Sequence, residues 1–181
     1  MILKYFVRLN FNRKRGLFKN IHKAEFAIFF NDTLSKEISI DGVYEKYEIL
    51  EIMRVLKKKN CILDIGANIG NHSIALSNYF NEVLAFEAHP KTFQILKFNC
   101  SEYNNIKLFN LGISNKKGYL YFNKKNTYNI GGKKLKNKGS IKIKVNKLDN
   151  IIKNNKKISL IKMDIEGHEY KALLGMKKTL R

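Results

Sequence analysis

The sequence has no tryptophan, one proline and two cysteines in 181 residues. Cys61 and Cys100 form no CxxC pair, so a zinc ribbon or redox motif has no support. Both sit in apolar patterns and read as buried thiols of a reducing compartment, which makes a cytoplasmic chain the expectation. No apolar run reaches the roughly 18 residues of a membrane span. The apolar start, Met1 to Val7, is too short for a signal peptide and is broken by charge. HExxH and paired-histidine spacings are absent, so no metal is required. Acids are scarce: 15 Asp+Glu against 35 Lys+Arg leave a formal charge of +20. Nucleic acid, anionic lipid and acidic glycan are natural partners of such a surface. The lysines are dispersed, however, and no RNP1-type aromatic motif accompanies them, so a coding bias accounts for the charge equally well.

What is present is a 44% hydrophobic chain, enough to bury one domain's core. Short apolar runs alternate with amphipathic ones, which predicts an α/β fold with a mainly parallel sheet. Strands are expected at 61–65, 82–87, 106–110 and 158–164. Helices are expected at 44–58, 71–79, from Pro90 to Cys100, and from Glu169 to Leu180. The helix at 44–58 should bury Tyr47, Leu50, Met53 and Leu56. The last helix should bury Leu173, Met176 and Leu180. Before the sheet, Phe26-Ala27-Ile28-Phe29-Phe30 and Ile38-Ser39-Ile40 read as a hairpin. The reading gives a small N-terminal cap at 1–42 and a main domain at 43–181. Tyr119-Leu120-Tyr121-Phe122 and Ile141-Lys142-Ile143-Lys144-Val145 read as strands around a Lys- and Gly-rich insertion.

The organising stretch is Cys61-Ile62-Leu63-Asp64-Ile65-Gly66-Ala67-Asn68-Ile69-Gly70: a buried strand, an acid, then a glycine turn into a helix. This is not G-x-G-x-x-G. An acid at the strand end and Asn68 between the glycines suit a ligand with an amine and a carboxylate better than a pyrophosphate. S-adenosylmethionine (SAM) has both, plus a sulfonium. Asp64 could accept from the amine, and amides near Gly66 and at the helix start could serve the carboxylate. A plain packing turn is the alternative. Glu87 ends the next strand, where an acid can take ribose hydroxyls or simply be solvated. Asn110, Leu111 and Gly112 follow the third strand and would flank the adenine. Asp164-Ile165-Glu166-Gly167-His168-Glu169 faces the same crevice if the fourth strand neighbours the first. Asp164, Glu166 and His168 are candidates to orient or deprotonate an acceptor hydroxyl. Glu169 reads as a helix cap. Asn71-His72-Ser73 fits a glycosylation pattern by chance, inside the turn's exit.

Together, Ile62 to Ser73, Ala85-Phe86-Glu87-Ala88-His89-Pro90 and Leu160 to Glu169 resemble the FkbM family of SAM-dependent methyltransferases. Gly42-Val43-Tyr44-Glu45, Asn129-Ile130-Gly131-Gly132 and Val145-Asn146-Lys147-Leu148-Asp149 extend the resemblance. It implies a Rossmann-like domain that moves a methyl group to a hydroxyl of a sugar, glycan or similar small molecule. Asp64, Gly66, Asn68 and Gly70 would line the methionine end of SAM, Glu87 the ribose, and Asp164 and Glu166 the transferred methyl. Such domains continue with further strands, so a C-terminally shortened member is expected. The rival expectations are an RNA methyltransferase or RNA-binding protein, and an inactive remnant that binds SAM without turnover. Peripheral contact with an anionic membrane would also suit the basic surface.

Overall fold

The computed structural model describes residues 5–7, 26–28, 33–57, 59–123, 135–152 and 155–181. Residues 29–30 of the first expected N-terminal strand and the resemblance at 129–132 lie outside them.

Four parallel strands make the centre: β3 (Cys61–Ile65), β4 (Glu82–Phe86), β5 (Ile106–Phe109) and β9 (Ile158–Met163). They lie in the order β5-β4-β3-β9. Every residue of β3 is buried, as a central parallel strand covered on both faces requires. β3 pairs with β4 and with β9, so the chain reverses direction across the sheet at β3, and this is the switch point the sequence implies.

Helices follow the strands as the sequence predicts, with shorter spans. α3 is Asn71–Ser77 and α4 is Pro90–Asn99, with Pro90 in its first turn and His89 as its cap. α2 runs over Lys46–Val55 and buries Ile49, with Ile52, Met53 and Leu56 packed beside it. The buried face is rotated from the expected one: Tyr47 is 82% exposed. An aromatic flanked by charges on a surface helix carries little phase information, and the i, i+3, i+4, i+7 set starts instead at Ile49. α5 is Glu169–Leu174 and ends at Gly175. Here Ala172 and Met176 are buried, whereas Leu173 and Leu180 are exposed. Within the helix Ala172 faces the core and Leu173, the next residue, faces solvent; Leu180 lies beyond the helix's end. A Cβ on Gly175 would fall 2.0 Å from the Ser114 carbonyl oxygen, so this close approach requires glycine. Asp149 then catches the next turn, accepting from the amides of Lys178 and Thr179.

The N-terminal region departs from expectation. β1 (Tyr5–Val7) and β2 (Phe26–Ile28) pair antiparallel, and the predicted return strand is instead helix α1, Thr33–Asp41. Three alternating residues, Ile38-Ser39-Ile40, are too few to separate period 2 from period 3.6. Ile38 is buried and Ile40 exposed. The strand pair is latched to α4 and to the turn after β3 by one buried amide. Asn99 accepts from the Ala27 amide and donates to the carbonyls of Ala27 and Ile69. Phe26, Ile38 and Val43 enter the same apolar core as Ile62, Ile74 and Val83.

A second sheet is made of β6 (Gly112–Ile113), β7 (Gly118–Phe122) and β8 (Ile141–Asn146), in the order β6-β8-β7. The sequence reading places β6 in a loop, because a two-residue strand leaves no periodic signal. Leu120, Phe122, Ile143 and Val145 form this sheet's own core against Ala88. Cys61 and Cys100 are free and buried. Among the described residues, no helix is long and apolar enough to cross a membrane.

Candidate active site

A cleft opens at the carboxyl ends of β3, β4 and β9. Leu34, Tyr44 and Glu45 wall one side, and Phe122 of the second sheet contributes to another together with Leu135. Gly66, Asn68, Glu87, Asp164 and Glu166 all line it, so the structure brings these sequence-predicted residues together. Leu111 and Gly112 line it too.

Gly66 sits at φ 87°, and a Cβ there would lie 2.0 Å from the Asp164 carbonyl oxygen. The turn after β3 and the exit of β9 therefore touch backbone to backbone. The amides of Gly66 and Ala67 both donate to the Phe86 carbonyl, and the Asn68 amide donates to Glu87 Oε2. The Gly66 and Ala67 amides are thus used by the neighbouring strand and are not offered to a ligand.

Asp64 is fully buried beneath the turn. Its Oδ2 accepts from the Ser73 hydroxyl at 2.6 Å. Its Oδ1 has no hydrogen-bond partner and faces Lys162 Nζ at 4.0 Å. Glu87 accepts amides on both oxygens, from Asn68 at 3.0 Å and His89 at 2.7 Å. Burial pushes its carboxyl up to about 7 against those amides, with Asp64 adding repulsion.

Several expected residues stand apart from the cleft lining. Gly70, at φ 100°, caps α3, and a Cβ there would press on Leu96 and Cys100. Asn110 donates to the carbonyls of Glu87 and Ala88, bracing the exit of β4. His168 is buried with Nε2 3.0 Å from the Ser114 hydroxyl. Burial and Lys171 hold its pKa low. Glu169 caps its turn as expected. Burial opposes its ionisation, but the amides of Gly167 and Ile165 more than offset that and hold its pKa low. The glycosylation pattern is buried, and the Asn71 amide is spent on Tyr44.

Sequence reasoning missed Glu45, His72 and Lys162. The signal for Lys162 was legible: a lone lysine inside an apolar strand, which the parallel register sets opposite Asp64. His72 follows the glycine turn, on a helix whose every residue is buried. Glu45, His72 and Glu48 place ligand-type atoms within 4.8 Å of one another. The imidazole tautomer decides what that cluster can hold. Asn71 Oδ1 accepts from the Tyr44 amide and its Nδ2 donates to the Tyr44 carbonyl, which fixes the amide's orientation. The same Nδ2 faces His72 Nδ1 at 3.4 Å. Nδ1 is therefore the acceptor, and in the neutral ring Nε2 carries the proton. Burial and Lys162 hold the His72 pKa low, which keeps the ring neutral. A proton, not a lone pair, points into the cluster, which disfavours a metal ion there.

Glu45, Asn68 and Glu166 are the non-glycine residues with positive φ among those described, and all three line the cleft. Such backbone costs about 1–3 kcal/mol each and gathers at functional sites.

A parallel sheet with its cleft at the switch point, acids at the carboxyl ends of two adjacent strands, and a glycine turn after the first define a Rossmann-like α/β domain. The profile described as "Methyltransferase FkbM domain" matches residues 64–181. The chain belongs to the FkbM methyltransferase family. It is 30% identical over 138 residues to the hexuronic acid methyltransferase AglP of Haloferax volcanii, an overlap of 72% of this chain and 57% of that protein. The chain thus spans little more than half of that relative's length. Among solved structures it partly overlays a putative transferase, PH0793, from Pyrococcus horikoshii, with TM-score 0.38, 20% identity and 51% and 36% of the two chains covered. It also overlays P. horikoshii TYW2 in complex with MeSAdo, with TM-score 0.34, 18% identity and 50% and 36% covered.

Proposed function

We propose that the cleft binds S-adenosylmethionine and that the enzyme methylates a hydroxyl oxygen of a sugar or glycan. The observation that carries this is electrostatic. A chain of formal charge +20 lines its cleft with Glu45, Glu87, Asp164 and Glu166, sets Asp64 beneath and, among the described residues, offers one lysine, Lys162. Carboxylates gathered in a basic protein favour a cationic ligand, and a sulfonium bearing an ammonium group is one. The residues fit that ligand. Asp64 keeps a buried oxygen without a hydrogen-bond partner for an amine. Lys162 is the cation for a ligand carboxylate, and Glu87 is the acceptor for ribose hydroxyls. When bound, the cofactor supplies the electrophilic methyl group. Asp164 and Glu166 face the cleft where the acceptor would enter.

The acceptor class draws on the hexuronic acid methyltransferase relative. The acid-rich wall favours a neutral hydroxyl over a carboxylate, because like charges in a partly buried cleft repel. Calorimetric titration with SAM and with its neutral thioether analogue 5′-methylthioadenosine tests the first half. The sulfonium compound should bind more tightly, and Asp64→Ala should weaken it. Absence of binding by either compound would end the reading. Transfer of labelled methyl to neutral sugars tests the second half. Label that moves only to uronic carboxylates, or to RNA, would refute hydroxyl acceptance.

A further inference from the structure

Glu45 and His72 form a pair that neither the family match nor the sequence motifs assign. Glu45 precedes α2 in left-handed backbone, φ 54° and ψ 46°. His72 lies in the first turn of α3, its side chain 6% exposed. Its Nε2 stands 3.2 Å from Glu45 Oε2 but lacks hydrogen-bond geometry to any partner. Asn71 fixes the tautomer, so a buried N–H is aimed at the cleft without an acceptor. Beside it is a carboxylate in the same wall. One hydroxyl set against the pair from the cleft would accept from Nε2–H, which lacks a partner, and donate to Oε2.

We propose that Glu45 is the catalytic base of this methyltransferase and that His72 positions the acceptor hydroxyl on it. The inference rests on the hydroxyl-acceptor reading above. In the step, the acceptor oxygen forms its bond to the methyl carbon as the carbon–sulfur bond breaks. The electron pair of that bond stays on sulfur, which becomes a neutral thioether. The hydroxyl proton passes to the Glu45 carboxylate and from there to solvent. The turn after β9 offers no such pair, because His168 is engaged by Ser114 and Glu169 by its own turn.

The pair's surroundings tune it towards accepting a proton. Burial and the neighbouring Glu48 push the Glu45 carboxyl up, and Lys162 opposes them. Facing groups are Tyr44 and Glu48 from its own segment, Lys162 from β9, Asp64 from β3, Asp164 beyond β9, and Glu37 of α1 near Tyr44. A base must be ionised to act, so activity should fall as pH drops through its raised value.

The test is Glu45→Gln, assayed by labelled-methyl transfer to neutral sugars and by calorimetry with S-adenosylhomocysteine. The expected result is a loss in kcat of about 100-fold or more, loss of the acid limb of the pH profile, and unchanged S-adenosylhomocysteine affinity. His72→Asn, which keeps a donor, should raise KM for the sugar, slow transfer and retain the acid limb. A Glu45→Gln protein that keeps rate and acid limb overturns the proposal. So does one that loses S-adenosylhomocysteine affinity, since Glu45 would then belong to the cofactor. Should Glu45→Gln not fold, a His72→Asn protein with unchanged sugar KM overturns it instead. Wild-type protein that binds S-adenosylhomocysteine but labels no neutral sugar overturns hydroxyl acceptance and this proposal together. Label retained in both the wild-type and the Glu45→Gln protein overturns this proposal alone.

Discussion

Ligand binding should be coupled to protonation of Glu87. Burial holds its carboxyl near about 7 in the free protein, although two amides already serve it. Part of the side chain faces the open cleft, and water there tempers the rise. Ribose hydroxyls donate to a carboxylate better than to a carboxyl, so a bound nucleoside favours the ionised form. With a free-state value of about 7, the ionised fraction is about one-tenth near pH 6 and about nine-tenths near pH 8. If binding requires the ionised form, affinity rises about ninefold across that span, and about half a proton is released near pH 7. The probe of choice is 5′-methylthioadenosine, which has the ribose but no amino acid to titrate. His72 and His168 are both held below the ordinary histidine value, chiefly by burial, and the Glu87→Gln comparison separates any share of theirs from that of Glu87. Calorimetry in two buffers of unlike ionisation heat counts the proton directly, and Glu87→Gln should flatten the profile. Affinity constant across the window, with no proton released, would refute the reasoning. The free protein should show the opposite trend. A carboxyl raised in the fold contributes stability below its unfolded value, and that contribution is lost as pH climbs through about 7.

Three more outcomes are expected. Gly66→Ala drives a Cβ into the Asp164 carbonyl at positive φ and should lower stability by about 3 kcal/mol or more, read by chemical denaturation. Asn99→Leu strands the amide and carbonyl of Ala27 and the carbonyl of Ile69, costing about 2 kcal/mol or more, with faster proteolysis near 26–28. Asp149 has its pKa held low: burial works against this, but the amides of Lys178 and Thr179 prevail. Its contribution is therefore present above the ordinary carboxyl value and lost as pH falls through the lowered one. Asp149→Asn should remove that acid dependence, seen as a flatter melting-temperature profile below about pH 5.

The central sheet was legible because Cys61–Ile65 and Glu82–Phe86 are short, apolar and buried on both faces, a pattern with few rivals. The acids Asp64, Glu87 and Asp164 were legible because each stands at or next to the carboxyl end of such a strand. Elements held by tertiary partners were not. Gly112–Ile113 is a strand only because β8 lies beside it. Thr33–Asp41 is helical, although the alternation of Ile38-Ser39-Ile40 within it reads as a strand. Asn110 and His168 sat in the right neighbourhood, but where a side chain points depends on what it can bond. The Glu87 carbonyl claimed one and the Ser114 hydroxyl the other. Glu45 and His72 come from segments with no shared motif, joined only when Asn71 latches Tyr44.

The left-handed backbone at Glu45, Asn68 and Glu166 has an evolutionary consequence. Glycine would fit each of these conformations and relieve the strain. Selection for heat resistance alone would therefore tend to accept glycine at these three positions, removing two carboxylates and one amide from the cleft wall. The places where this chain most readily gains stability are the places where it has most activity to lose.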